Sequence, residues 1–329
     1  MKFDLMNINR IRNFFKEKNY KCYKPYSIID SDDTVFVSAG IQPLLKDYKN
    51  NKIDDYNKLY VAQPVIRTQY SNCVEEGSSI AFVNVTTACF NNSEDDHIRM
   101  IDDWYNLLYE IGMNKNDLYQ AKDILDANWG SLELHGKRIF HYYKNLEIGD
   151  TTFFTKIIDS TTNIRIDSMS DLGFGLERLR WKINNGLYYD LYSNSEGLNP
   201  EIKAYLSVLS LLAVNDIKPS NKNSGYRARS FSKKLINILK GKELSETEEK
   251  YLEECIRYWS LWQEKINSNS KQMIINEYIR NGNRYILNLL SDCGYDNLSG
   301  ININVSRAEL IKRLESAGVE SDNIKKIVR

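Results

Sequence analysis

Apolar positions along the first two hundred residues alternate between two periods. From Asn7 to Lys18, Ile8, Ile11, Phe14 and Phe15 recur at helical spacing. Thr34–Ser38 is a short apolar run that ends at Ala39-Gly40, and Tyr60–Arg67 is a second run, both read as strands. Pro64 within the second implies a sheet edge or a bulge. A polar loop, Thr68–Ser79, contains Glu75-Glu76-Gly77, and Ile80–Thr86 returns as a strand, which makes a hairpin. Asp95–Ile111 predicts an amphipathic helix with Ile98, Ile101, Trp104, Leu107 and Leu108 inward. Two or three strands are expected over Leu132–Tyr143 and Thr151–Ile158, one at Ile164–Asp167, and a helix over Leu176–Ile183. Beyond about residue 200 only the helical period persists, in Glu201–Val214, Arg229–Leu239, Ser245–Ile266 and Lys271–Leu290. Ser245 with Glu248 reads as a capping box, and Arg307–Ala317 and Asp322–Val328 form a last helix pair. The pattern predicts an α+β domain over residues 1–198, built on a mainly antiparallel sheet flanked by helices, and an all-helical domain over 199–329.

Composition narrows the class without naming a function. The chain has 329 residues, 42% hydrophobic and 27% charged, which suits two soluble domains with their own cores. The net charge is zero, yet residues 1–200 sum to about −5 and residues 201–329 to about +5, an asymmetry that suits a polyanion-binding second half. Five cysteines, none in a CxxC pair, and three poorly spaced histidines argue against a disulfide framework or a Cys/His metal site. The N-terminus lacks a signal-peptide core and no apolar stretch is long enough for a bilayer, so a cytoplasmic protein with reduced thiols is expected.

The candidate chemistry centres on Asp171-Leu-Gly-Phe-Gly-Leu-Glu-Arg-Leu179. Gly173 and Gly175 suit close turns and backbone approach to a ligand, and Glu177-Arg178 follows at the head of a helix. A third glycine is missing, so this is not the dinucleotide fingerprint; a Gly-rich turn before a solvated helix is the plain alternative. Arg67 ends a strand, and two guanidiniums on rigid element ends suit a triphosphate through charge-assisted contacts. The alternative for Arg67 is a surface pair with Glu75 or Glu76.

The segment from Asp171 resembles motif 3 of class II aminoacyl-tRNA synthetases, and its pattern most resembles that of the alanyl-tRNA synthetase family. Ala62-Gln-Pro-Val-Ile-Arg67 and Val35-Phe-Val-Ser-Ala-Gly-Ile-Gln-Pro43 resemble further segments of that family. The resemblance implies a class II catalytic fold, ATP with Mg²⁺ as cofactors, and Arg67 and Arg178 as catalytic phosphate ligands, with Gly175 and Glu177 also at the ATP. It implies that Trp129, in Asp126-Ala-Asn-Trp129, limits the amino-acid pocket, that Asp171 and Gly173 bind the amino acid with Asp171 holding its ammonium, and that Asp150 stands where the family has an amino-acid-contacting Asn. Two carboxylates make this pocket more anionic than the family's.

Lys218-Pro-Ser-Asn-Lys-Asn-Ser-Gly-Tyr-Arg-Ala-Arg229 resembles the family's tRNA-recognition segment, which implies tRNA contacts for Asn221, Arg227, Arg229, Lys233 and Lys234. Lys218–Lys242 carries eight basic residues and no acidic one, as phosphate binding favours; a merely solvated helix is the alternative. The chain departs from the family in a short motif 2 loop without a second Arg, in Phe82-Val-Asn-Val-Thr-Thr87 where a Glu is expected, and in having no room for the editing and C-terminal domains. Three functions follow: activation of a small amino acid, alanine or similar, with transfer to tRNA; the same adenylate chemistry with a non-tRNA acceptor; or an inactive tRNA-binding or regulatory paralogue.

Overall fold

A computed structural model describes residues 5–29, 35–69, 77–184, 197–262 and 269–328. The chain divides into two compact units, Met1–Leu191 and Tyr192–Arg329. The first is α+β, with an antiparallel sheet flanked by helices, and the second is helical, as the periodicity leads one to expect.

The sheet runs in the order β1-β2-β3-β8-β6-β5-β4, with β7 (Ile164–Ile166) beside β6. Its strands are β1 (Lys21–Cys22), β2 (Leu59–Ile66), β3 (Ala81–Phe90) and β4 (Leu118–Trp129). β5 (Leu132–Tyr143), β6 (Leu146–Asp159) and β8 (Met169–Gly175) complete it, and every pairing is antiparallel except β1 with β2. Pro64 sits where β1 no longer covers β2. The Ile66 N–H points outward to the Val37 carbonyl, so Pro64, two residues earlier, also turns its nitrogen away from β3. The missing N–H therefore costs no ladder bond.

One sheet face packs α1 (Leu5–Glu17) and α3 (Glu94–Glu110) through Phe15, Trp104 and Phe174. Trp104 stacks on Phe174 at 4.0 Å and donates from Nε1 to the Thr87 hydroxyl. The inward stripe of α3 is His97, Met100, Ile101, Trp104, Leu107 and Leu108, with Ile98 half-exposed rather than inward. The opposite face is covered in part by α2 (Ile41–Lys49), whose Ile41, Leu44 and Leu45 meet Leu59, Val61 and Phe154. The sequence pattern did not reveal α2; Pro43 falls in its first turn, where no N–H is needed. β4 was also unforeseen, because most of its residues face water on both sides and no alternation arises.

In the second unit α5 (Pro200–Val214) is buried from Ile202 to Val214, as a helix apolar all round must be. It packs with α6 (Asn223–Ile238), α7 (Glu246–Ser260) and α8 (Ser270–Asp292). The capping box expected at the start of α7 is present: Ser245 and Glu248 satisfy each other's backbone N–H. A second small core joins Ile286 and Leu290 of α8 to Leu310 and Leu314 of α9 (Arg307–Ser316) and Ile324 of α10 (Ser321–Val328). Among the described residues no helix is long and apolar enough to cross a membrane.

Candidate active site

The register of four strands lays out the site. Asp171 of β8 lies opposite Ala88 of β3 and Thr152 of β6, and Gly173 lies opposite Thr86 and Asp150. Directly opposed residues share a sheet face, so Asp171, Gly173, Gly175, Asp150 and Asn84 all belong to one face. Leu172 and Phe174 alternate to the other and are fully buried. Where α2 no longer covers this face, a cleft opens, lined by Arg67, Asn84, Glu147, Asp150, Gly173 and Arg178.

Gly173 and Gly175 are strand residues rather than turn residues, and neither has a positive φ. Their role is to keep side chains off the cleft floor. A Cβ at Gly173 would stand 3.1 Å from Asn84 Nδ2. Gly149, beside Asp150, has no room at all: a Cβ there would meet the Gly173 carbonyl at 2.4 Å.

Both expected phosphate ligands line this cleft. Arg67 directly follows β2, its N–H bonded to the Ile80 carbonyl at 2.8 Å. Its Nε donates to the Ser38 carbonyl at 3.0 Å, and its guanidinium lies over Phe82. Arg178, in α4 (Leu176–Asn184), donates from Nε to the Gly77 carbonyl at 2.8 Å and from Nη1 to the Glu147 carbonyl at 2.9 Å. The Glu147 carboxylate stands 3.5 Å from the same Nη1. Backbone carbonyls thus orient both forks, which leaves other Nη donors for a ligand. Such pre-orientation is what stabilises developing negative charge at low reorganisation cost. Glu75 and Glu76, the alternative partners for Arg67, lie outside the described residues.

Glu177 does different work. β8 ends at Gly175, opposite Asn84, so the N–H of Val83 has lost its strand partner. The buried Glu177 carboxylate accepts that N–H with both oxygens, at 3.0 and 3.1 Å. It extends the ladder with a side chain and fixes the head of α4 to β3. Although it borders the cleft, it is committed within the protein.

Asp150 and Asp171 form a diagonal cross-strand pair, their Cα atoms roughly 7 Å apart on that register. Burial on this sheet face, next to the cleft lining, pushes the Asp171 carboxyl up to about 8; Asp150 adds to the rise and Arg67 opposes it. Asp150 is raised as well, by burial first, with Arg67 pulling it back, Glu147 pushing it up, and Arg138 and Arg178 pulling it back. A cation bound here would relieve both effects.

Trp129 does not line this cleft, contrary to expectation. It closes the β4–β5 hairpin opposite Leu132, which pairs with Asp159 at the far end of β6. Asp150 lies nine residues back along that strand, roughly 30 Å at strand rise. Trp129 lines a separate cavity with Tyr26, Leu45 and Asp159.

Sequence reasoning missed two cleft-face residues. Asn84 accepts from the Gly40 N–H at 2.8 Å and from the Thr86 hydroxyl, and its Nδ2 is the group nearest to Gly173. Arg138 of β5 lies opposite Thr152, one strand further along the Asp171 row. Alternation within the Leu132–Tyr143 run would have placed Arg138 and Phe140 together on one face, but not next to Asp150.

In the helical unit the expected nucleic-acid residues separate into two groups. Arg227 and Lys233 are exposed, and Lys234 is partly so. Arg229 is drawn inward: Nε donates to Glu277 at 3.1 Å, and Nη1 donates to Asn221 Oδ1. Asn281 joins Glu277 and Ser232 to the same network. Gly225 is required by packing, because a Cβ would meet the Ser220 hydroxyl at 2.2 Å. Much of the Pro-Ser-Asn…Gly-Tyr pattern therefore builds a tight loop before α6. Among the described residues no cluster of three or more His, Cys, Asp or Glu is arranged to hold a metal.

No family model and no curated protein matches the chain. Among solved structures, the Desulfitobacterium hafniense protein PylSc, a pyrrolysyl tRNA synthetase, overlays with a TM-score of 0.44 and 12% identity, covering 60% of this chain and 74% of that chain. An overlay at that level carries no functional weight; the residues of the cleft do.

Proposed function

We propose that the first unit activates an amino acid with ATP, by the chemistry of class II aminoacyl-tRNA synthetases. The observation that carries this reading is the meeting of Arg67 and Arg178, both oriented by backbone carbonyls, with the Asp150–Asp171 pair on one open sheet face. The amino-acid carboxylate attacks the α-phosphorus of ATP; the new C–O–P linkage forms as the bond to pyrophosphate breaks. Arg67 and Arg178 hold phosphate oxygens and offset charge in the transition state. Asp171, with Asp150, receives the substrate ammonium. Glu147, the exposed carboxylate at that end of the cleft, would face Mg²⁺ bound with ATP, which would offset charge on the phosphates. No general base is needed, since positioning and electrostatics supply the acceleration.

Alanine is the amino acid that the sequence resemblance names. Trp129 carried the small-pocket part of that expectation and stands elsewhere, so other cleft residues select the side chain. The acceptor in this reading is the terminal ribose of a tRNA, with the second unit supplying phosphate contacts from Arg227 and Lys233. A non-tRNA acceptor is favoured by one observation: Arg229 is drawn inward to Glu277 and also holds the side-chain oxygen of the exposed Asn221, so neither group is left unpaired for a nucleic acid.

ATP–pyrophosphate exchange tests the adenylation step. Arg178→Ala should abolish exchange while the far-UV spectrum and melting midpoint stay close to those of the parent. Near-normal exchange would remove Arg178 from the mechanism. Charging of total tRNA then decides the acceptor, since exchange without charging selects the second.

A further inference from the structure

Arg138 is not absorbed by the mechanism above. It lies opposite Thr152, which lies opposite Asp171, so the three residues form one row across the cleft face. Two inter-strand steps put its Cα about 10 Å from that of Asp171. Its guanidinium lies over Phe140, 5.0 Å from the ring centroid, and Phe140 is the residue opposite Asp150. Its nearest ion-pair partner is Asp123, at 3.9 Å, beyond hydrogen-bond reach and half-exposed on the outer strand. The Arg138 Nε is buried and has no hydrogen-bond partner among the described residues. Folded proteins rarely leave such a donor unmet, because the desolvation cost is not returned.

The direction of the substrate follows from the other residues. Arg67 and Arg178 stand at the Gly175 end of the cleft, so the reacting carboxylate must point that way. With the ammonium on Asp171, the side chain of the amino acid runs across the sheet toward β6 and β5, where the row continues to Thr152 and Arg138. A planar fork of N–H donors in that position suits a carboxylate or an amide carbonyl.

Building on the adenylation reading, we propose that Arg138 is a specificity-determining residue. It binds an acceptor oxygen on the substrate side chain, so the activated amino acid carries a side-chain carboxylate or amide rather than the methyl of alanine. A site built to bond a polar group discriminates strongly against analogues that lack it.

The test is amino-acid-dependent pyrophosphate exchange, with all twenty amino acids for the full chain, and with aspartate, asparagine, glutamate, glutamine, alanine, serine and glycine for Arg138→Ala and Arg138→Lys. The expected result is highest kcat/KM for one of the first four. Arg138→Ala should lower that value by about 30-fold or more, mainly through the amino-acid KM. Arg138→Lys should recover part of the loss. Calorimetric Kd for ATP should be unchanged in both variants, which shows that the fold and the phosphate end are intact. The proposal is overturned if the parent protein prefers alanine, serine or glycine, or if Arg138→Ala lowers exchange equally for all seven. Absence of exchange with all twenty amino acids would instead refute the adenylation reading, and this proposal with it.

Discussion

Binding of the amino acid should expel a proton from the cleft. Asp171 holds its proton up to about pH 8, because burial and the neighbouring Asp150 disfavour the carboxylate. An ammonium placed against the pair reverses that preference and draws the proton off. At pH 7 a carboxyl with this value is about nine-tenths protonated, so binding should release close to one proton per site. The apparent Kd for the amino acid should fall about tenfold for each pH unit from 6 to 7, and should flatten near 8. Calorimetry in two buffers of different ionisation enthalpy reads the released proton directly. Asp171→Asn should abolish the release and weaken binding by tenfold or more. The same raised value works against the folded state at alkaline pH. The folded chain retains a proton that the unfolded chain has lost above about pH 4, so stability declines as pH rises from 4 to 8, by at most about 1.4 kcal/mol per unit. Asp171→Asn should flatten that slope. Buffer-independent binding enthalpy, with a Kd constant from pH 6 to 8, would refute the assignment of the ammonium to Asp171.

Five further substitutions have outcomes set by where each residue stands. Gly173→Ala should fold, with Asn84 yielding a few tenths of an ångström, yet raise the amino-acid KM; Gly149→Ala should cost about 1–3 kcal/mol in urea unfolding, because its neighbour is backbone. Arg229→Ala leaves Glu277 buried beside Asn281 and should destabilise the helical unit by about 2 kcal/mol in thermal melts, whereas Lys233→Ala should leave stability unchanged and reduce the salt dependence of tRNA binding by about one counterion. Trp129→Phe should leave the amino-acid KM unchanged in exchange assays, since the residue stands at the far end of β6.

Residues that repeat at a fixed period were legible in the sequence, and those placed by pairing were not. The helices from Glu201 onward announced themselves through the 3.6 period, and the Ser245–Glu248 cap through local spacing. β4 gave no alternation because it is wetted on both sides, and α2 was hidden by Pro43 and its short length. At the site, Arg67 and Arg178 were visible as charged residues ending rigid elements. The placement of Asp150 against Asp171 depends on β6 pairing with β8, two strands that are not consecutive in the chain. Arg138 and Asn84 reach the cleft face through the same non-local register, which spacing within one segment cannot reveal. Trp129 illustrates the converse: a local likeness to a pocket motif says nothing about how far the hairpin carries it.

The bond from Glu177 to Val83 has a mechanical consequence. β3 carries Asn84 and Thr86 on the cleft floor, and Glu177 ties that strand to the helix bearing Arg178. The strand under the cleft and the helix that carries its phosphate-binding arginine are therefore parts of one stiff frame, with the Trp104–Phe174 stack bracing it from behind. Loosening the brace should not loosen one substrate selectively. It should misalign nucleophile and phosphorus together, so that turnover falls further than either affinity.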